Sequence, residues 1–194
     1  MSFYIHIQDT PNPNAVKFIS RYTVKTEGSS NYHFVEECGA NPLAQKIFEV
    51  DGVLQVYFFD NYITVTKDPT VDWKEIGEEI TEILQAELPE HDPHYRDPVE
   101  ETAQKDRSEL TPEILEIEEA LDRTIRPALA NDGGGIEIVE RKDNVVYIRY
   151  QGACGSCPSS IGGTLMAIQS ILRSEINEDI EVVDISGGAN ISWY

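Results

Sequence analysis

Cys154 and Cys157 stand three residues apart in the run Gly152-Ala153-Cys154-Gly155-Ser156-Cys157-Pro158. Thiolates at that spacing bind soft metals or shuttle between dithiol and disulfide. An apolar strand precedes the pair and an amphipathic helix follows it. The unpaired N–H groups and the dipole at a helix start favour a thiolate, and can also hydrogen-bond to sulfur bound to iron. Gly155 keeps the turn uncrowded. Pro158 has no N–H to lose and stiffens the exit. These features serve metal binding and redox chemistry equally. On spacing alone, iron–sulfur binding, zinc binding and thiol–disulfide exchange all stay open.

The supply of ligands bears on the choice. Soft metal sites generally take four ligands. Residues 110–194 contain no His and no Cys besides Cys154 and Cys157. Cys38 has no cysteine near it in sequence and is read as a small core or surface residue rather than a ligand. His6, His33, His91 and His94 all precede residue 110 and show no paired ligand spacing. His91 and His94 are read as solvated linker residues. Two copies of the chain related by a two-fold axis would bring four thiolates together, which is the ligand set of an iron–sulfur cluster. A cluster held between subunits is also easier to release than one inside a closed core, which suits a carrier.

The elements that must position these cysteines read as two small α+β domains. Over residues 1–88, strands are expected at Phe3–Ile7, at Val16–Ile19 and around Tyr32, Phe34 and Val35, with Thr10-Pro11-Asn12-Pro13-Asn14 as a turn. Asn41-Pro42 starts a short helix over Leu43–Glu49. Val53–Phe59 and Tyr62–Thr66 form a hairpin about Asp60-Asn61. Asp72 caps a helix over Trp73–Leu88. Residues 89–109 are polar, charged and proline-bearing, and read as a flexible acidic linker. Over residues 110–194, Thr111-Pro112 opens a helix with Ile114, Ile117, Leu121, Ile125 and Leu129 at helical spacing, kinked or interrupted at Pro127. Asn131-Asp132-Gly133-Gly134-Gly135 is read as the turn that ends it. Ile136–Glu140 and Val145–Gln151 form a hairpin about residues 141–144. After the cysteine loop, Ser159 or Ser160 is expected to cap a helix reaching Ile176, and Ile180–Ile185 makes a third strand. Trp73 and Trp193 read as packing residues.

Composition bounds the function. The chain has 194 residues, 40% hydrophobic and 26% charged, with net charge −20. Residues 1–97 hold 7 basic and 17 acidic side chains and residues 98–194 hold 8 and 18, so each half is −10. Phosphate backbones and anionic lipid surfaces need clustered Lys and Arg, so neither nucleic acid nor a membrane is an expected partner. No apolar run reaches the roughly 18 residues of a membrane span. Three cysteines and no signal-peptide pattern argue against a disulfide framework and for a reducing compartment, with a bacterial cytoplasm expected and a processed organellar protein as the alternative. No acid–base pair, nucleophile triad or cofactor loop is visible, so the chain is not expected to be an enzyme.

The run Ile125-Arg126-Pro127, Asn131-Asp132-Gly133-Gly134, Gln151 to Ser160 closely resembles the NifU-like domain of Nfu iron–sulfur cluster scaffold proteins. Residues 1–88 resemble the Nfu N-terminal domain through Thr10-Pro11-Asn12-Pro13-Asn14-Ala15-Val16-Lys17-Phe18, Pro42-Leu43-Ala44 and Ile63-Thr64-Val65. The resemblance implies a homodimer that holds a [4Fe–4S] cluster, or a [2Fe–2S] one, through Cys154 and Cys157. It implies receipt of that cluster from upstream assembly machinery and its transfer to apo iron–sulfur proteins. Gly135 departs from the family, where Asp is common after the Gly pair. Two rival readings use the same cysteines. A thiol–disulfide oxidoreductase is disfavoured by Ala153, where that class usually has an aromatic, and by the lack of a clear βαβ unit before the motif. A zinc-stabilised interaction module predicts a domain that a chelator unfolds.

Overall fold

The computed structural model describes residues 3–39, 41–96, 110–155 and 158–186. The chain divides into two compact units, Met1–Gln104 and Lys105–Tyr194, each with its own hydrophobic core. Both are α+β.

The first unit is built on a five-stranded antiparallel sheet. Its strands are β1 (His6–Asp9), β2 (Ala15–Ile19), β3 (Lys25–Tyr32), β4 (Val53–Asp60) and β5 (Tyr62–Lys67), in spatial order β1-β2-β5-β4-β3. Helices α1 (Pro42–Phe48) and α2 (Trp73–Glu87) cover one face. Strand alternation delivers Val16, Phe18, Val56, Phe58, Ile63 and Val65 to the core that also holds Leu43, Ile47, Ile76, Ile80 and Leu84. Both helix starts are capped as the sequence predicts: Asn41 Oδ1 accepts from Ala44 N and Asp72 Oδ1 from Lys74 N.

Three expectations here are corrected. The first strand starts at His6, and Phe3 and Ile5 enter the core ahead of it. The third strand is β3, not the segment around Phe34 and Val35, which lie exposed at a short 3-10 turn over Val35–Cys38. The polar stretch from residue 89 does not leave the first unit at once. Pro93 O accepts from Thr26 N at 3.0 Å, Lys25 Nζ donates to Tyr95 O at 2.7 Å, and the Tyr32 and Tyr95 hydroxyls lie 2.6 Å apart. Residues 97–109 of that stretch lie outside the described residues.

The second unit begins with α3 (Pro112–Thr124) and α4 (Arg126–Asn131), separated at Ile125 by the expected effect of Pro127. Thr111 Oγ1 accepts from Ile114 N at the start of α3. A hairpin, β6 (Gly134–Lys142) and β7 (Val145–Gly152), turns at Asp143, which takes φ 53. Helix α5 (Pro158–Glu175) then carries the chain to β8 (Glu181–Asp184), which pairs parallel to β7. Ser159 and Ser160 thus lie within the first turn of α5 rather than capping it. The core gathers Ile117 and Leu121 from α3, Ile148 from β7, Ile168 and Leu172 from α5, and Ile180 with Val182 at β8.

Candidate functional site

The cysteine loop fills the gap between the end of β7 and the start of α5. Gly152 closes β7 at φ 59, a left-handed conformation that glycine adopts at no steric cost. Gly155 N donates back to Gly152 O at 3.2 Å and so folds Ala153 and Cys154 into a turn. The loop is held from behind by the chain after α4. Ala153 N donates to Gly133 O at 3.2 Å, with Gly133 at φ 80, and Gly134 pairs with Gly152 across the hairpin.

Gly134 is where the contact is closest. A Cβ there would lie 2.5 Å from Cys154 Sγ, 2.6 Å from the Gln151 carbonyl oxygen and 2.9 Å from Cys154 N. Real side chains do not pack that tightly, so the Cys154 sulfur occupies space that only a glycine leaves open. Cys154 is 6% exposed and belongs to the unit's core cluster. Cys157 lies outside the described residues, as does Trp193. Among the described residues, no three His, Cys, Asp or Glu side chains come together to hold a metal ion.

Two neighbours set the surroundings of Cys154. Tyr150 is buried in the core, and its phenol is pushed up from its ordinary value by burial, then by the charges of Asp184 and Cys154. It stays neutral beside the sulfur at physiological pH. Arg126 fixes the α3–α4 junction that leads into the glycines. Its guanidinium donates to Glu118 and, at 2.6 Å, to Asp122, and reaches Ile136 O at 3.5 Å. Burial works to lower the Arg126 pKa, but these carboxylates outweigh it and the net shift is upward.

The remaining sequence candidates are placed as follows. Cys38 is fully buried in the first unit, its thiol 3.7 Å from Phe34 O. His91, expected as a solvated linker residue, is instead half-buried: its ring stacks on Phe58 and its Nε2 lies 2.8 Å from Val24 O. His94 Nδ1 lies 3.1 Å from Thr26 Oγ1. Gly134 and Gly135, read as part of the turn, instead sit in β6, Gly135 opposite Gln151. Sequence reasoning missed Gly133 and Gly134 as the wall behind Cys154. The available signal was three consecutive glycines, more than a helix stop requires. The parallel pairing of β7 and β8 also makes β7–α5–β8 a βαβ crossover, with the cysteine loop inside it rather than after it. No helix among the described residues is long and apolar enough to cross a membrane.

Two family models match the chain: "Scaffold protein Nfu/NifU N terminal" over residues 5–91 and "NifU-like domain" over residues 117–183. The mitochondrial NFU1 iron-sulfur cluster scaffold homolog of Drosophila persimilis is 34% identical over 181 residues, covering 91% of this chain and 63% of that protein. The mitochondrial NifU-like protein 4 of Arabidopsis thaliana is 32% identical over 184 residues, covering 91% and 64%. The chain therefore spans about three fifths of the length of the curated relatives it matches. A solution structure of a NifU-like protein from Saccharomyces cerevisiae shares 32% identity, covers 46% of this chain and 81% of its own, and superposes with a TM-score of 0.43. Carrying both matched domains in order, the chain belongs to the Nfu and NifU-like family of iron–sulfur cluster scaffold proteins.

Proposed function

We propose that the chain carries an iron–sulfur cluster as cargo on Cys154 and Cys157, bridging two protomers, and passes it to apo-proteins. The observation that carries this reading is the fit of the Cys154 sulfur into the space over Gly134, at a loop that leads into α5. The sulfur is held in place by backbone before any metal arrives, which is the pre-organisation a ligand needs. The missing ligands come from the same loop of a second copy, giving the four thiolates of a [4Fe–4S] site. Upstream assembly machinery supplies the cargo and apo iron–sulfur proteins take it. Transfer is ligand exchange: each incoming client thiolate replaces one cysteine sulfur on iron, with no change of oxidation state. The chain is thus a carrier rather than a catalyst. The cytoplasm expected from its sequence suits thiolate chemistry as a reducing compartment; its curated relatives carry mitochondrial names.

Anaerobic reconstitution with iron and sulfide, read by native mass spectrometry, tests the reading. The expected species is a dimer with one four-iron cluster; a two-iron cluster would revise the cargo only. Cys154→Ser and Cys157→Ser each abolish loading while the circular dichroism spectrum stays unchanged. Cys38→Ser loads like the wild type. Loss of the cluster in the Cys38 variant would show the ligand assignment to be incomplete. The oxidoreductase reading draws support from the βαβ crossover around the loop. It predicts instead a monomer that takes up no iron and forms a reversible Cys154–Cys157 disulfide. The zinc module is separated by a chelator. The carrier's second unit stays folded in it, because its core is complete in protein side chains alone.

A further inference from the structure

Helix α5 breaks the rule that the other long helices follow. Helix α2 carries Glu75, Glu78, Glu79, Glu82 and Glu87, and α3 carries Glu113, Glu116, Glu118, Glu119 and Asp122. In α5 no ionisable side chain occurs from Pro158 to Leu172. Its outward side presents Gly162, Gly163, Met166, Ala167 and Ser170, all exposed, with Met166 at 74%. These positions share one face at helical spacing. A Cβ at Gly162 or at Gly163 would meet nothing within 4 Å. Glycine inside a helix is costly relative to alanine, and no packing among the described residues accounts for the pair.

We propose that this face of α5 docks on the same face of a second copy and thereby brings the two cysteine loops together. The inference rests on the bridged-carrier reading and names the surface that the reading needs. With Cys154 and Cys157 the only thiols in residues 110–194, and no His there, the site is incomplete until another copy arrives. The face starts one turn after Pro158, so a two-fold axis through it lies beside the loops. Paired glycines allow the two helix backbones to approach closely, and Met166 of each copy has the open surface over Gly162 and Gly163 of the other to fill. Charge selects the same surface. Two chains of −20 repel, and the uncharged stretch of α5 is where they meet with the least like-charge opposition.

The test compares full-length wild type, Met166→Glu, Ser170→Glu and Leu54→Glu after anaerobic reconstitution. Leu54 is an exposed residue of β4, and its variant controls for the added charge. Native mass spectrometry and sedimentation give the protomer number, and iron is counted per protomer. Both α5 variants are expected to lose at least about tenfold in dimer affinity, and bound iron with it, while circular dichroism is unchanged and Leu54→Glu behaves like the wild type. Dimers with full iron in both α5 variants overturn the docking face and leave the bridged reading standing. So does full loading combined with failed transfer to a client, which would assign the face to clients. A wild type that loads as a monomer overturns the bridged reading itself, and the docking face with it.

Discussion

Gly134 matters as much to the cysteine loop as Cys154 does, because its contribution is an absence. Two of the three atoms that a Cβ would strike are backbone: the Gln151 oxygen, in the β6–β7 ladder, and the Cys154 nitrogen, in the turn that Gly155 N closes on Gly152 O. They cannot rotate away as a side-chain end would. Gly134→Ala is therefore expected to destabilise the second unit by about 1–3 kcal/mol through overpacking. It should also displace the Cys154 sulfur and lower the iron bound on reconstitution, although both cysteines remain. Urea unfolding and iron content measure the two effects. Gly77→Ala, into open space on α2 of the first unit, is the control, with stability unchanged or raised by up to about 1 kcal/mol. Wild-type stability and iron in Gly134→Ala would mean that the loop has room to spare. The contrast explains what could be read at the site. A cysteine pair marks itself through side chains and spacing, even where these leave metal binding and redox chemistry both open. Gly134 acts through a contact with residues 151–154, and no local pattern in its own segment encodes that pairing.

At the scale of elements, what was legible was whatever has a local cause. Asn41, Asp72 and Thr111 cap the helices they were expected to cap, and Asp60 at φ 45 and Asp143 at φ 53 make the two expected tight turns. Strand β3 was misplaced because Lys25-Thr26-Glu27-Gly28-Ser29-Ser30-Asn31-Tyr32 has no apolar alternation. It also carries a register shift between Lys25 and Ser29. Its order comes from β4 on one side and from residues 93–95 on the other. That packing gives the first unit a pH response. Burial against Phe58 lowers the His91 pKa, with Lys25 adding to it, against the opposing pull of Val24 O and Asp92. Unfolded, the imidazole titrates near 6.5; folded, it takes its proton only at lower pH. Between those values the unfolded chain binds more protons, so acidification favours unfolding. The neutral ring's contribution is complete above about pH 6.5 and is lost as pH falls below it. Urea midpoints of the first unit at pH 7.5 and pH 5 should differ more in the wild type than in His91→Gln. Equal losses would show that His91 does not sense the pH.

For the whole molecule, charge sets the terms of assembly. The −20 is divided equally along the chain, so bringing two copies together opposes two fields of the same sign. The exposed part of α5 that carries no charge relieves this only locally; the carboxylates of α3 and of the first unit still repel through solvent. Such repulsion between exposed charges is screened over about 30 Å at 0.01 M salt and about 8 Å at 0.15 M. Hydrophobic contact at Met166 is not weakened by salt in the same way. The cluster-bridged dimer is therefore expected to form more completely as ionic strength rises from about 0.01 M to about 0.15 M. Sedimentation of reconstituted protein at one concentration, across that range, measures it. The opposite slope, with dimer lost on adding salt, would mean that opposite charges pair across the interface. In that case α5 would not be the contact, because its outward face has no charges to contribute between Pro158 and Leu172.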